Sequence, residues 1–298
     1  MYNFHNFKNI YVIKKKIILI SFATPDLKKS IKRFYSQALE SNYYDEVKVI
    51  TPKNLSDINK NKIDVYLKKK KKRGYCYWYW KPLIIKETLD KVNDEDIIHY
   101  LDIGFHIKKN KHEKFYQYIN FLKNNKFSLL AFQYFPIKNY NYKNIIYPKR
   151  EEYKYTKLDL LDYFNVTQDR TITHTPQFSA GNIFFKKSKF SKVFLQNWID
   201  VFEKRFDLVD DTESTKKNFD NFIEHRHDQS IFSILCKKNY IKAYSAYEFD
   251  WAKKLSQRTW DHIVDFPFQA KRDLEYNIIK KFLNRQKKTI NRLKKKFL

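Results

Sequence analysis

Short apolar runs, each about the length of one buried strand, alternate in this 298-residue chain with segments of helical period, and no other feature restricts the fold as much. The first run, Ile17-Ile18-Leu19-Ile20-Ser21-Phe22-Ala23, ends at Thr24-Pro25-Asp26; a helical pattern over residues 27–39 and a second apolar run at 47–50 follow. Strand, helix and strand within about 35 residues make a βαβ unit, whose two strands must be parallel. The alternation continues with a helix at 83–92, a strand at 97–101, a helix at 111–123 and a strand at 128–132. A helix near 158–164, a glycine-broken strand at 178–185 and helices at 188–204 and 228–236 complete it, with polar loops at 139–150 and 207–217. The expected fold is α/β, a mostly parallel sheet flanked by helices. The seven residues of the first run stand at the lower limit of the apolar core of an export signal, and they read better as a strand. No run approaches about 18 consecutive apolar residues, so an ordinary transmembrane helix is excluded.

Charge and cysteine content narrow the setting. Sixty Lys and Arg against 33 Asp and Glu leave a net charge of +27. This charge suits an anionic partner, nucleic acid or membrane, yet it also follows from a lysine-rich composition of the kind an AT-rich coding bias produces. From residue 271 to 298, 11 Lys and Arg face two acids, with Ile278, Ile279, Phe282, Leu283, Ile290 and Leu293 at helical spacing. The expected division is therefore one domain over 1–270 and a basic amphipathic helical tail over 271–298 that binds an anionic membrane surface. Cys76 and Cys236 are too few for a disulfide scaffold or a four-thiolate zinc site, which makes a reducing compartment the default.

Average usage would give about 21 glycines in this length, and the chain has three, Gly74, Gly104 and Gly181. Each should mark a place where a Cβ is not tolerated, and each falls in an unusual local sequence. Gly74 lies in Arg73-Gly74-Tyr75-Cys76-Tyr77-Trp78-Tyr79-Trp80-Lys81-Pro82. That stretch partly overlaps an RNA-binding strand pattern, but Cys76 and Trp78 replace its small residue and its valine, and Lys81-Pro82 opens a helix. Either its aromatic residues are core, or they form a platform for a planar base or sugar, with Arg73 and Lys81 flanking a diphosphate. Gly104 follows Asp102, a carboxylate at the carboxyl end of a parallel strand, where open α/β sheets bind ligands. Asp102 is read as a turn or capping residue, or as an oxygen ligand to a divalent cation that holds a nucleotide diphosphate. Gly181 lies in Ser179-Ala180-Gly181-Asn182, where the backbone can pass close to a ligand. A fourth stretch, His227-Asp228-Gln229-Ser230, opens a helix, and Asp228 is either its N-cap or an acceptor for a sugar hydroxyl or its proton.

Taken in order, these four stretches resemble bacterial GT-A-type glycosyltransferases of capsule and surface-polysaccharide synthesis, over about residues 15–270. The resemblance implies a Rossmann-like nucleotide-sugar domain, a UDP- or GDP-sugar donor, a glycan or lipid-linked acceptor, and a divalent cation, Mn²⁺ or Mg²⁺. It implies catalytic roles for Asp228 and Gln229, and donor contacts from Thr24, Arg73, Tyr75, Trp80, Lys81, Ser179, Gly181 and Asn182. Asp102 matches the last carboxylate of the family's Asp-x-Asp motif, with His262 as a late metal ligand; Tyr100 stands where the first carboxylate would be. Such an enzyme would be cytoplasmic and peripheral at the inner face of the membrane, with nucleic acid outside its partners. The readings from other classes are a non-enzymatic RNA-binding protein and a lectin-like carbohydrate binder with a dead site.

Overall fold

The computed structural model describes residues 15–124, 126–138, 142 and 144–271. The tail expected over 271–298 lies, from residue 272 onward, outside the described residues. In chain order the strands are β1 (Ile17–Phe22), β2 (Glu46–Ile50), β3 (Ile97–Leu101), β4 (His106–Ile107), β5 (Leu129–Gln133), β6 (Ile145–Ile146), β7 (Phe178–Lys186), β8 (Ala243–Ser245), β9 (Ala252–Lys254), β10 (Gln257–Thr259) and β11 (Phe268–Gln269).

Six of these form the central sheet in the order β2-β1-β3-β7-β5-β8. Neighbours β1–β2, β1–β3 and β5–β8 are parallel, as the expected βαβ pattern requires. The longest strand, β7, runs antiparallel to both β3 and β5, so the sheet is mixed although mostly parallel. Smaller sheets β10-β9-β6 and β11-β4 lie outside it. Among the described residues no helix is long and apolar enough to cross a membrane.

Alternation along the strands divides the core between the two faces. Ile18, Ile20, Phe22, Ile98 and Tyr100 pack with the helices Trp80–Lys91, Lys189–Lys204 and His227–Lys238, around Leu83, Trp198 and Phe232. Leu19, Ile97, Leu101 and Phe132 pack on the other face with the helices Lys28–Ser41 and His112–Lys123, around Phe34 and Phe115. Local chemistry sets several boundaries. The Ser56 hydroxyl accepts from the Asn59 N–H at the start of the helix Asp57–Lys68, and Ser188 and Ser191 form a reciprocal cap at the start of Lys189–Lys204. The helix containing Pro82 starts two residues before it, at Trp80, rather than at the proline.

The sheet also fixes where a site can lie. Ile20 pairs with Tyr100 across the parallel β1–β3 ladder, so the carboxyl ends of both strands, leading into Thr24 and Asp102, reach the same edge. This is the edge where open α/β sheets bind ligands.

Candidate active site

A buried lysine joins two of the four motif stretches to a third. Lys81, near the start of the helix Trp80–Lys91, is 3% exposed, and its Nζ lies 2.6 Å from Asp228 Oδ2 and 3.6 Å from Asp102 Oδ1. The ammonium also lies 5.9 Å from the Trp80 ring centroid and 5.3 Å from that of Tyr100. A charge this far from water persists only when paired, and here two carboxylates share it. Burial works against the charged form of Lys81, but Asp102 and Asp228 outweigh it and its pKa is raised. Burial pushes the Asp228 carboxyl up to about 6, against the pull of Lys81 and with the negative charge of Asp102 adding to the rise. Asp228 is not the N-cap of its helix. That position belongs to Arg226, and no side chain caps there.

Asp102 is the more open carboxylate, with its side chain 29% exposed against 7% for Asp228. The Tyr100 hydroxyl donates to its Oδ1, and its backbone N–H donates to the Gly181 carbonyl at 2.9 Å. A Cβ on residue 181 would sit 2.9 Å from Asp102 Oδ2 and 3.3 Å from Phe105 Cε2, which explains the glycine by close approach. Between Phe184 and Ser179 β7 advances five residues, while its partner β5 advances two, from Leu130 to Phe132. The regular β3–β7 register, with Leu101 opposite Asn182, places Gly181 beside Asp102, and the Ser179 hydroxyl accepts from the Gly181 N–H at 3.3 Å. Asn182 goes elsewhere. Its Oδ1 meets His99 Nε2 at 2.8 Å, His99 Nδ1 meets the Tyr44 hydroxyl at 2.8 Å, and burial pushes the His99 pKa down to about 3.

Residues 74–78 form a left-handed turn, with φ of 54°, 49°, 72°, 51° and 61°. Only Gly74 adopts this backbone without cost; a side-chain-bearing residue pays about 1–2 kcal/mol. The segment is therefore neither a strand nor an exposed aromatic platform. Tyr77, Tyr79 and Trp80 are buried, the Trp80 indole N–H donates to the Gly74 carbonyl at 3.0 Å, and Trp80 stacks on Phe22 at 4.1 Å. Tyr75 and Trp78 stay half-buried, and Tyr75 lies 5.5 Å from Phe22, just ahead of the half-buried Thr24.

Arg73 enters through a second cluster. Its guanidinium is 2.5 Å from Asp211 Oδ1, and the Tyr77 hydroxyl donates to Asp211 Oδ2 at 2.7 Å. His227 contacts the Val209 carbonyl through Nδ1 at 2.6 Å, stacks on Trp78 at 5.6 Å and lies 3.7 Å from Asp211 through Nε2. Together these bonds tie the loop after residue 206 to the left-handed turn. Beside them opens a cleft of about 1490 Å³, lined by Arg73, Tyr155, Arg226, Trp251 and Arg258 among others. Gln229 is half-buried and donates to the Gln177 side chain at 3.0 Å.

Asp211 was not among the residues singled out from the sequence, where it reads as part of a polar loop. The one available signal was the Asp210-Asp211 doublet directly after the apolar Leu208-Val209. The buried pair Arg150–Asp250, 2.9 Å apart and joined by the Tyr134 hydroxyl, also gave no local signal, because its partners come from distant loops.

The residues present do not fit a divalent cation held by the protein. Such ions take about six oxygen ligands. Asp102 has a tyrosine two residues ahead of it instead of a carboxylate, and that tyrosine and the Lys81 ammonium both face its Oδ1. His262 is buried with Nε2 3.0 Å from the Asp250 carbonyl and its ring edge-on to Tyr142 and Tyr147, and no contact joins it to Asp102. Among the described residues no three His, Cys, Asp or Glu side chains are grouped so that they could hold a metal ion.

No family model matches the chain, and no curated protein matches it. Solved structures do show similarity. Mouse xyloside xylosyltransferase 1 is 11% identical over 78% of this chain and 86% of its own, with a TM-score of 0.42. A glycosyltransferase involved in glycosylation of the major capsid of PBCV-1 is 9% identical over 88% and 94%, also at 0.42. The galactosyltransferase LgtC, in complex with donor and acceptor sugar analogs, is 11% identical over 78% and 75%, at 0.39.

Proposed function

We propose that the chain is a glycosyltransferase that moves a sugar from a UDP- or GDP-sugar to a glycan or lipid-linked acceptor in surface-polysaccharide synthesis. The observation that carries this reading is the meeting of Lys81, Asp102, Gly181 and Asp228, one from each of four motif stretches, at the carboxyl edge of β1 and β3.

In the transfer, the bond between the anomeric carbon and the phosphate oxygen breaks and the nucleoside diphosphate leaves with the electron pair. The acceptor oxygen bonds to that carbon, and its proton passes to a base. Asp102, the more exposed carboxylate, accepts from hydroxyls of the donor sugar, while Asp228 and Gln229 serve the sugar or the acceptor. Thr24 and Tyr75 contact the nucleotide, with Trp80 and Ser179 holding their neighbours in place. Arg73, half exposed, opposes the charge that builds on the leaving diphosphate, a term of the kind that dominates such reactions.

The test is Asp102→Ala, assayed for nucleotide release from a panel of UDP- and GDP-sugars with crude glycan acceptors. Turnover should fall about 100-fold or more at an unchanged melting temperature, the scale of losing one preorganised polar contact to the reacting groups. Turnover equal to that of the unaltered chain would overturn the assignment.

A further inference from the structure

The geometry points to Lys81 as the built-in counter-cation of this site, standing between Asp102 and Asp228 where a carboxylate-held divalent cation would have to lie, so that the nucleotide-sugar is bound without a metal held by the protein. The inference rests on the glycosyltransferase reading and deepens it.

Three observations carry it. First, the ammonium is within ion-pair distance of both carboxylates, 2.6 Å from Asp228 and 3.6 Å from Asp102, and so already supplies the positive charge that the two acids share. Second, Lys81 is fixed there: it sits near the start of a helix, is 3% exposed, and is flanked by the rings of Trp80 and Tyr100. A side chain so enclosed does not swing aside for an incoming ion, and its positive charge repels one. Third, the residue two before Asp102 is a tyrosine whose hydroxyl donates to Asp102 Oδ1, occupying with a hydrogen-bond donor an oxygen that a metal would need. A lysine and a tyrosine thus satisfy the two acids that a metal would otherwise bridge. With one ammonium against two carboxylates, the cluster also keeps a negative charge when both acids are ionised. It therefore suits hydroxyls of a sugar better than a diphosphate, and Arg73 is left to face the phosphates.

The experiment measures UDP and GDP binding to the full chain by calorimetry, in EDTA and in Mn²⁺, and Mn²⁺ binding alone by electron paramagnetic resonance. Nucleotide affinity should agree within about twofold between the two conditions, which means no coupling between metal and nucleotide. Lys81→Ala should gain affinity for Mn²⁺ by about tenfold or more, the scale on which groups around a metal site act. Nucleotide binding that Mn²⁺ strengthens by about tenfold or more in the unaltered chain, with the gain lost in Asp102→Asn, would overturn the inference. If Lys81→Ala does not fold, Lys81→Gln serves for the Mn²⁺ measurement, and the comparison on the unaltered chain decides by itself. Turnover of a nucleotide-sugar only when Mn²⁺ is present would overturn the role of Lys81 and leave the glycosyltransferase reading standing. Absence of nucleotide-sugar binding and turnover under both conditions would overturn the glycosyltransferase reading and this inference with it.

Discussion

Replacing Gly181 with alanine should damage the site while sparing the fold. The new Cβ would stand 2.9 Å from Asp102 Oδ2, 3.3 Å from Phe105 Cε2 and 3.4 Å from Asp102 Cγ. Relief to ordinary contact at about 3.5 Å requires the Asp102 carboxylate to retreat by about 0.6 Å. The Tyr100 hydroxyl and the Lys81 ammonium both hold that carboxylate on its Oδ1 side, so the retreat strains both contacts. Because the partly exposed Asp102 side chain gives way, overpacking here costs about 1 kcal/mol, and alanine also restricts the unfolded chain and returns about 0.4–1 kcal/mol. The net should therefore shift the melting temperature by no more than about 2 °C in a chain of this size. Function answers differently, because displacing a reacting group by up to an ångström costs as much as about 100-fold. The assay pairs differential scanning fluorimetry with kcat/KM for nucleotide release from the donor that proves active. Unchanged kcat/KM would refute the claim that the position of Asp102 matters. A fall in melting temperature of about 10 °C would refute the claim that the side chain of Asp102, rather than the backbone, absorbs the clash.

Two other outcomes follow from the structure, and a third from the sequence of the tail. Asp228→Asn should lower turnover strongly. Because the carboxyl of Asp228 is raised from 3.8 to about 6 in the folded chain, native protein holds the extra proton between those values, and stability falls as pH rises through them. Relative to Asp228→Asn, the unaltered chain should lose about 3 kcal/mol across that window; equal urea midpoints for the two at pH 4 and pH 7 would count against it. Gly74→Ala should destabilise far more than Gly181→Ala, since φ is +54° and the Cβ would meet the Trp78 ring at 2.7 Å; a melting temperature within 1–2 °C of the parent would contradict the left-handed turn. Removing residues 271–298 should release the protein from anionic vesicles and spare donor hydrolysis, as about 1 kcal/mol per basic residue at an anionic surface implies; equal sedimentation of both forms would refute it.

How far the sequence could be read depended on whether the deciding force was local. Residues 97–101 and 189–204 declare themselves through period and capping, and both form the expected elements. The direction of β7 could not be read, because a strand buried on both faces carries no mark of which way it runs. The turn at 74–78 was equally hidden, since one glycine announces one left-handed residue and four side-chain-bearing residues follow it there. Its aromatic residues divide by tertiary packing, with Tyr79 and Trp80 in the core and Tyr75 and Trp78 half-buried. Lys81 stood out in its motif as a diphosphate ligand, while its carboxylate partners come from two other parts of the chain. No spacing rule encodes a contact of that range.

The left-handed turn also separates the thermal behaviour of the candidate-site edge from that of the body. Four residues there hold a backbone that each would leave at a gain of about 1–2 kcal/mol, and the surrounding contacts alone keep them in it. Opening this turn relieves that strain at once, whereas opening β3, buried on every residue, relieves none. The amide hydrogens of residues 75–78 should then exchange with solvent through a local opening far less costly than global unfolding, and those of residues 97–101 only through the global event. Because Lys81 sits three residues beyond the turn, heating should first loosen the grip of its ammonium on the two acids. Catalysis would be lost reversibly at a temperature where the sheet is still intact.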